Sequence, residues 1–292
     1  MRNAPSKLAL GTVQFGMPYG ATNQHGQVSR DEVVRILKLA QVAGLNLLDT
    51  ASTYGNSEEV LGWALQEAGL TSDFTVVSKV FLRPEHDLKP QVFGQVEKTL
   101  RDLRGASLES LMIHHGHQLP EFGESLAKIL LAAKAEFKIA KLGASFYSPT
   151  ELVKANEVLN LDVVQVPFNL FNQDFAQTFT PTLNPEVHVR SVFLQGVLLT
   201  PVEKRPSYFH RFANEFSAYD RELKRTGLSP LQLNLAHALA TPWIDRTVLG
   251  VTSAAELGEI IDTLSTLPPS ITGARALASH DPHLTNPANW KL

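Results

Sequence analysis

Residues 29–50 read SRDEVVRILKLAQVAGLNLLDT, a helix followed by a buried strand. Ser29 precedes an acidic first turn, Asp31-Glu32, where its side-chain oxygen can accept a free backbone amide as an N-cap. Residues 30–43 are amphipathic, and Gly44 falls where a left-handed glycine ends a helix. The run 45–48 is apolar without regular hydrophilic alternation, as in a parallel strand covered on both faces. Working outward, the same unit recurs. Short apolar runs at 8–10, 45–48, 74–79, 108–114, 139–143, 163–166, 187–193 and 247–250 alternate with helical patterns at 30–43, 57–68, 90–103, 121–135, 149–159, 209–224 and 254–264. Ser148-Pro149 marks one helix start with a cap and a proline at the first helical position.

Eight strand candidates separated by helices predict an α/β fold, a (β/α)8 TIM barrel of parallel strands with its active site at the C-terminal face. The length of 292 residues suits one such domain over residues 1–292. No linker, low-complexity tract or solenoid-length repeat divides it. Residues 201–224, crowded with proline and aromatic side chains, break the rhythm and read as a long loop leading into a helix.

Hydrophobic residues at 43% and charged residues at 19% give a globular balance, with no apolar stretch long enough to span a membrane. A soluble protein without membrane partners is expected. The first residues enter a strand-like run with no apolar leader, so a cytoplasmic location is expected. The 0 cysteines exclude disulfides, thiolate metal sites and cysteine nucleophiles. A net charge of −3 lacks the basic footprint that a nucleic-acid partner requires. No feature of the sequence fixes an oligomeric state.

Polar residues that end apolar strands are the candidates for chemistry in such a barrel. Asp49 ends the run 45–48, Tyr54 follows in the next loop, Lys79 ends 74–78 and His114 ends 111–113. Each has a structural alternative. Asp49 can cap a turn, and an Asp49–Lys79 ion pair can serve burial alone. Together they supply more: a phenol as proton donor, an ammonium to lower its pKa, a carboxylate to hold the ammonium, and an imidazole to orient a carbonyl oxygen. His115 and His117 read as rim residues of a substrate pocket, and no metal site is expected from them and His114. Trp63 and Trp243 lie in helical patterns and read as packing.

The motifs Asp49-x-Ala51-x-x-Tyr54-Gly55, Ser78-Lys79 and Leu111-Met112-Ile113-His114 resemble the Asp, Tyr, Lys, His tetrad of aldo-keto reductases, in the same order. The resemblance extends to Leu10-Gly11-Thr12, Lys141-Leu142-Gly143-Ala144-Ser145, Val164-Gln165-Val166-Pro167-Phe168-Asn169 and Leu228-Ser229-Pro230 onward to Gly250, nearly the whole chain. It implies an NAD(P)H-dependent oxidoreductase that reduces an aldehyde or ketone, sugar-like carbonyls included, with Tyr54 as general acid. Ser145 and Gln165 would hold the nicotinamide carboxamide, with Asn169 close by and Gly11-Thr12 beneath the ring. Arg190, Ser191, Phe193, Gln195, Gly250, Thr252 and Ser253 would complete the cofactor site beside Asp49.

Two departures from the family pattern stand out. Where many members carry a stacking tyrosine after the seventh strand, this chain has Arg190, with Phe193 as the alternative ring. After Gly250 no Lys or Arg stands beside Ser253, and Glu256 would favour a free ribose hydroxyl. NADP(H) is the family default, and NAD(H) the alternative. Two other functions compete: a Schiff-base aldolase or isomerase using Lys79, and a nicotinamide-binding sensor or structural subunit with negligible turnover.

Overall fold

The computed structural model describes residues 5–180 and 182–291. Its strands are β1 (Leu8–Gly11), β2 (Leu47–Asp49), β3 (Thr75–Val80), β4 (Ser107–Ile113), β5 (Lys141–Ser145), β6 (Val163–Pro167), β7 (Glu186–Arg190) and β8 (Arg246–Gly250). Each pairs in parallel with the next, and β8 returns to β1 with Gly11 opposite Gly250, closing the barrel. The helices are α1 (Val13–Gly16), α2 (Arg30–Val42), α3 (Ser57–Ala68), α4 (Leu88–Asp102), α5 (Gln118–Glu136), α6 (Pro149–Val158), α7 (Ala213–Thr226), α8 (Pro230–Leu239), α9 (Ala254–Leu264) and α10 (Pro282–Thr285). Ser29 caps α2 by accepting from the Glu32 amide, and Gly44 follows at φ 81°. None of the described helices is long and apolar enough to cross a membrane.

Alternation along the strands sorts the core into shells. Ala9, Leu47, Val77, Met112, Val163 and Val248 pack together inside the barrel. Their outward neighbours, including Leu10, Leu48, Val76 and Leu111, join the larger apolar layer beneath the helices. Two residues further along each strand path, on the inward face, stand Gly11, Asp49, Lys79, His114, Gln165 and Gly250. At the opposite end Lys141 bridges Glu186 at 2.6 Å and Glu109 at 2.7 Å, and His188 meets Glu186 at 2.9 Å.

Three expectations need correction. The seventh strand stops at Arg190, not residue 193, because Ser191, Leu194 and Gln195 take positive φ of 62°, 49° and 53° and turn the chain across the mouth. The helix expected over 209–224 is a 3-10 turn, Ser207–Phe212, followed by α7. Trp243 lies in the turn after α8, outside any helix, with its ring 5.1 Å from both Phe168 and Phe179. Helix α8 was not marked by periodicity because almost all its residues are buried, leaving no amphipathic stripe; its signal is the capping box of Ser229 and Gln232 before Pro230.

Candidate active site

The strand ends bring the four sequence candidates together. Lys79 Nζ donates to Asp49 Oδ1 at 2.7 Å, Asp49 Oδ2 at 2.8 Å and the Thr50 carbonyl at 3.0 Å. It lies 5.3 Å from the centre of the Tyr54 ring. His114 meets that ring edge-on at 5.8 Å, and its Nδ1 shares a 3.1 Å hydrogen bond with Thr53 Oγ1. Gln165 reaches across the barrel to donate to Asp49 Oδ2 at 2.7 Å. Thr53 and this bond of Gln165 were missed from sequence, since nothing local announces a partner 61 or 116 positions away.

Tyr54 is presented by a tightly seated turn. Its amide donates to the Ala51 carbonyl and its carbonyl accepts from the Ser57 amide, both at 3.0 Å. Ser57 Oγ in turn donates to the Thr12 carbonyl at 2.7 Å. A Cβ on Gly16 would stand 1.9 Å from the Tyr54 carbonyl oxygen, so only glycine permits α1 to lie against this turn.

Burial sets the electrostatics. It lowers the Lys79 pKa, against the pull of the Asp49 carboxylate that favours the charged form. Burial, reinforced by Asp49 and opposed by Arg190, raises Tyr54 above an ordinary phenol. The expectation that Lys79 depresses this pKa is therefore corrected: all three ammonium protons are committed to Asp49 and Thr50, and desolvation prevails. Burial and then Lys79 lower His114 to about 3, leaving its ring neutral at physiological pH.

A cavity of about 400 Å³ opens from this cluster. Of the sequence candidates, Gly11, Thr12, Asp49, Tyr54, Gln165, Arg190, Ser191, Phe193, Gln195, Gly250 and Thr252 line it. Lys79, His114, Ser145, Asn169 and Ser253 do not. Ser145 ends β5 opposite Gln165. Asn169 Oδ1 accepts from the Phe171 and Asn172 amides while its Nδ2 donates to the Ser191 carbonyl, bracing the loop after β7. Ser253 caps α9. Arg190 lays its guanidinium 4.3 Å over the Tyr147 ring. Gln195 Nε2 donates to the Tyr19 hydroxyl at 3.1 Å, joining the loops after β7 and β1 across the end of β8. His114, His115 and His117 form a ladder of rings spaced 5.3 and 5.7 Å, and among the described residues no group of three or more metal-ligating side chains is placed to hold an ion.

The model of the Aldo/keto reductase family matches residues 7–280. Aldo-keto reductase YhdN of Bacillus subtilis is 25% identical over 60% of this chain and 54% of its own, so the chain spans little more than half of that relative. Aldo-keto reductase str7 of Strobilurus tenacellus is 26% identical over 76% of this chain and 73% of its own. The solved aldo-keto reductase AKR11C1 from Bacillus halodurans, in its holo form, superposes with a TM-score of 0.72 at 16% identity, covering 93% of this chain and 90% of that one. With the family match running over nearly its whole length, the chain belongs to the aldo/keto reductase family.

Proposed function

We propose that this chain, as one barrel domain over residues 1–292, reduces an aldehyde or ketone of small size to the alcohol, with Tyr54 as general acid. The observation that carries the reading is the convergence of His114 and the Lys79–Asp49 pair on Tyr54, with Tyr54 and Asp49 lining one cavity and Lys79 Nζ standing 5.3 Å from the phenol ring. The residues present fit a nicotinamide dinucleotide: the cavity leads from Asp49 and Tyr54 to Thr252, and Gln14 Oε1 at its wall is buried without a hydrogen-bond partner. Gln165, Arg190, Phe193 and Gln195 would hold it near the tetrad, and Gly250 and Thr252 further out. When bound, the dinucleotide supplies a hydride to the carbonyl carbon.

The rest of the chemistry belongs to the chain. Burial keeps the Tyr54 hydroxyl protonated at neutral pH, so it can donate that proton to the carbonyl oxygen and complete the alcohol. The phenolate left behind forms near the Arg190 guanidinium, whose charge favours it. Neutral His114 offers a hydrogen bond that fixes the carbonyl oxygen, its Nδ1 held by Thr53. The aldolase reading loses support because Lys79 Nζ is buried with three acceptors around it, a poor nucleophile.

Tyr54→Phe removes the proton and little else. The expected outcome is a fall in turnover on the order of 10²–10⁴-fold with dinucleotide affinity unchanged. Full turnover in that variant would refute the role of Tyr54. Bound dinucleotide with no hydride transfer to any of a panel of carbonyls, in single-turnover mixing of the unmodified protein, would favour the sensor reading.

A further inference from the structure

The far end of the groove has a charge pattern of its own. Glu256 Oε2 accepts from the Thr252 amide at 2.6 Å and Oε1 accepts from Thr252 Oγ1 at 2.8 Å. Ser253 Oγ takes the Glu256 amide at 3.1 Å. From α2, Glu32 Oε1 takes the Ala254 amide at 2.6 Å, a bond that holds its carboxyl below the ordinary range; Arg35 balances Glu32 from the other side at 2.5 Å. The amino end of α9, a place where helices receive phosphate, is thus already filled by two carboxylates of the chain itself.

Glu256 also faces the groove. It lines the large cavity that begins at Tyr54, and it lines an adjoining hollow of about 340 Å³ between α8 and α9, together with Ser229 and Glu259. The two spaces share Phe193, Leu199, Gly250 and Glu256, so they form one path. Among the described residues, Arg190 is the sole Lys or Arg lining that path, and it sits at the end near Tyr54. A dinucleotide whose reactive ring lies at Tyr54 and whose other end follows this path brings its second ribose to Glu256.

We propose that the groove selects NAD(H) over NADP(H), with Glu256 as the residue that decides; this rests on the nicotinamide-dependent reading above. A 2′-phosphate brings about two negative charges to an end of the path that Glu256 and Glu259 line and that, among the described residues, no Lys or Arg lines. A free ribose diol instead offers hydroxyl donors, which a carboxylate accepts well. Glu256 need only turn one oxygen from Thr252 to the ribose.

The test is binding rather than catalysis. NADH and NADPH are titrated separately into the unmodified protein, without a carbonyl compound, following nicotinamide fluorescence. The expected result is a Kd for NADH at least tenfold below that for NADPH, with the gap narrowing as salt screens the repulsion. Glu256→Arg should reverse the order, and Glu256→Gln should bring the two Kd values within a few-fold of each other. Equal or tighter NADPH binding to the unmodified protein overturns the inference and leaves the cofactor reading standing. Failure of both dinucleotides to bind the folded protein overturns both.

Discussion

Lys79 and Asp49 are each almost wholly withdrawn from water, and each is tolerated only because the other is there. An ammonium with 1% side-chain exposure loses its hydration shell, and two carboxylate oxygens and a carbonyl replace it. Removing one partner strands the other. Asp49→Asn is therefore predicted to cost about 3–5 kcal/mol of stability, most of which returns in the Asp49→Asn/Lys79→Met double variant. Urea unfolding of the four proteins in that cycle measures it; additive losses would mean the pair is not coupled. The pair itself was legible in the sequence, because a lysine and an aspartate ending apolar strands have few other ways to be satisfied. The rise of Tyr54 above an ordinary phenol was not legible, since it depends on burial and on the Asp49 charge that the fold brings near. Nor was the stacking of Arg190 on Tyr147, which brings together residues from β7 and the loop after β5.

At the scale of elements, caps and breakers carried most of the legible information. Ser29 and Gly44 bracket α2 as their chemistry requires, and the strands fall within a few residues of the apolar runs. Helix α8 escaped because a helix buried on all sides has no period to detect. Its capping box joins Ser229 Oγ to the Gln232 amide at 3.2 Å and the Gln232 side chain back to the Ser229 amide at 2.9 Å. Ser229→Ala should lower stability by about 1 kcal/mol, seen as a shift in the thermal midpoint. No shift would mean that packing alone fixes the start of α8. The turn after β7 was misread as strand for a different reason: Ser191, Leu194 and Gln195 adopt left-handed backbone that their residue types do not announce.

For the molecule as a whole, acid is the direction of weakness. Burial holds His114 to about 3 and His237 to about 4, against 6.5 for a free imidazole. The unfolded chain takes up protons below about pH 6.5 that the folded chain refuses, so stability falls as the pH drops from there toward 4 and then 3. Glu186, bonded to His188 and Lys141, is lowered from 4.5 to about 2. Its contribution is complete above pH 4.5 and is lost as the pH falls toward 2. Thermal midpoints measured down this range should decline from pH 6.5, and Glu186→Gln should flatten the part below 4.5. A midpoint level from pH 7 to 4 would contradict the account. The barrel and the meeting of Asp49, Lys79 and His114 with the loop residue Tyr54 were foreseeable from order and spacing; the charge balance of its interior was not, because it is assembled from residues distant in sequence. One contact at the mouth has a mechanical side. Tyr19 and Gln195, both on the wall of the groove, hold hands over the end of β8. Letting go of that single hydrogen bond would free the two loops from each other.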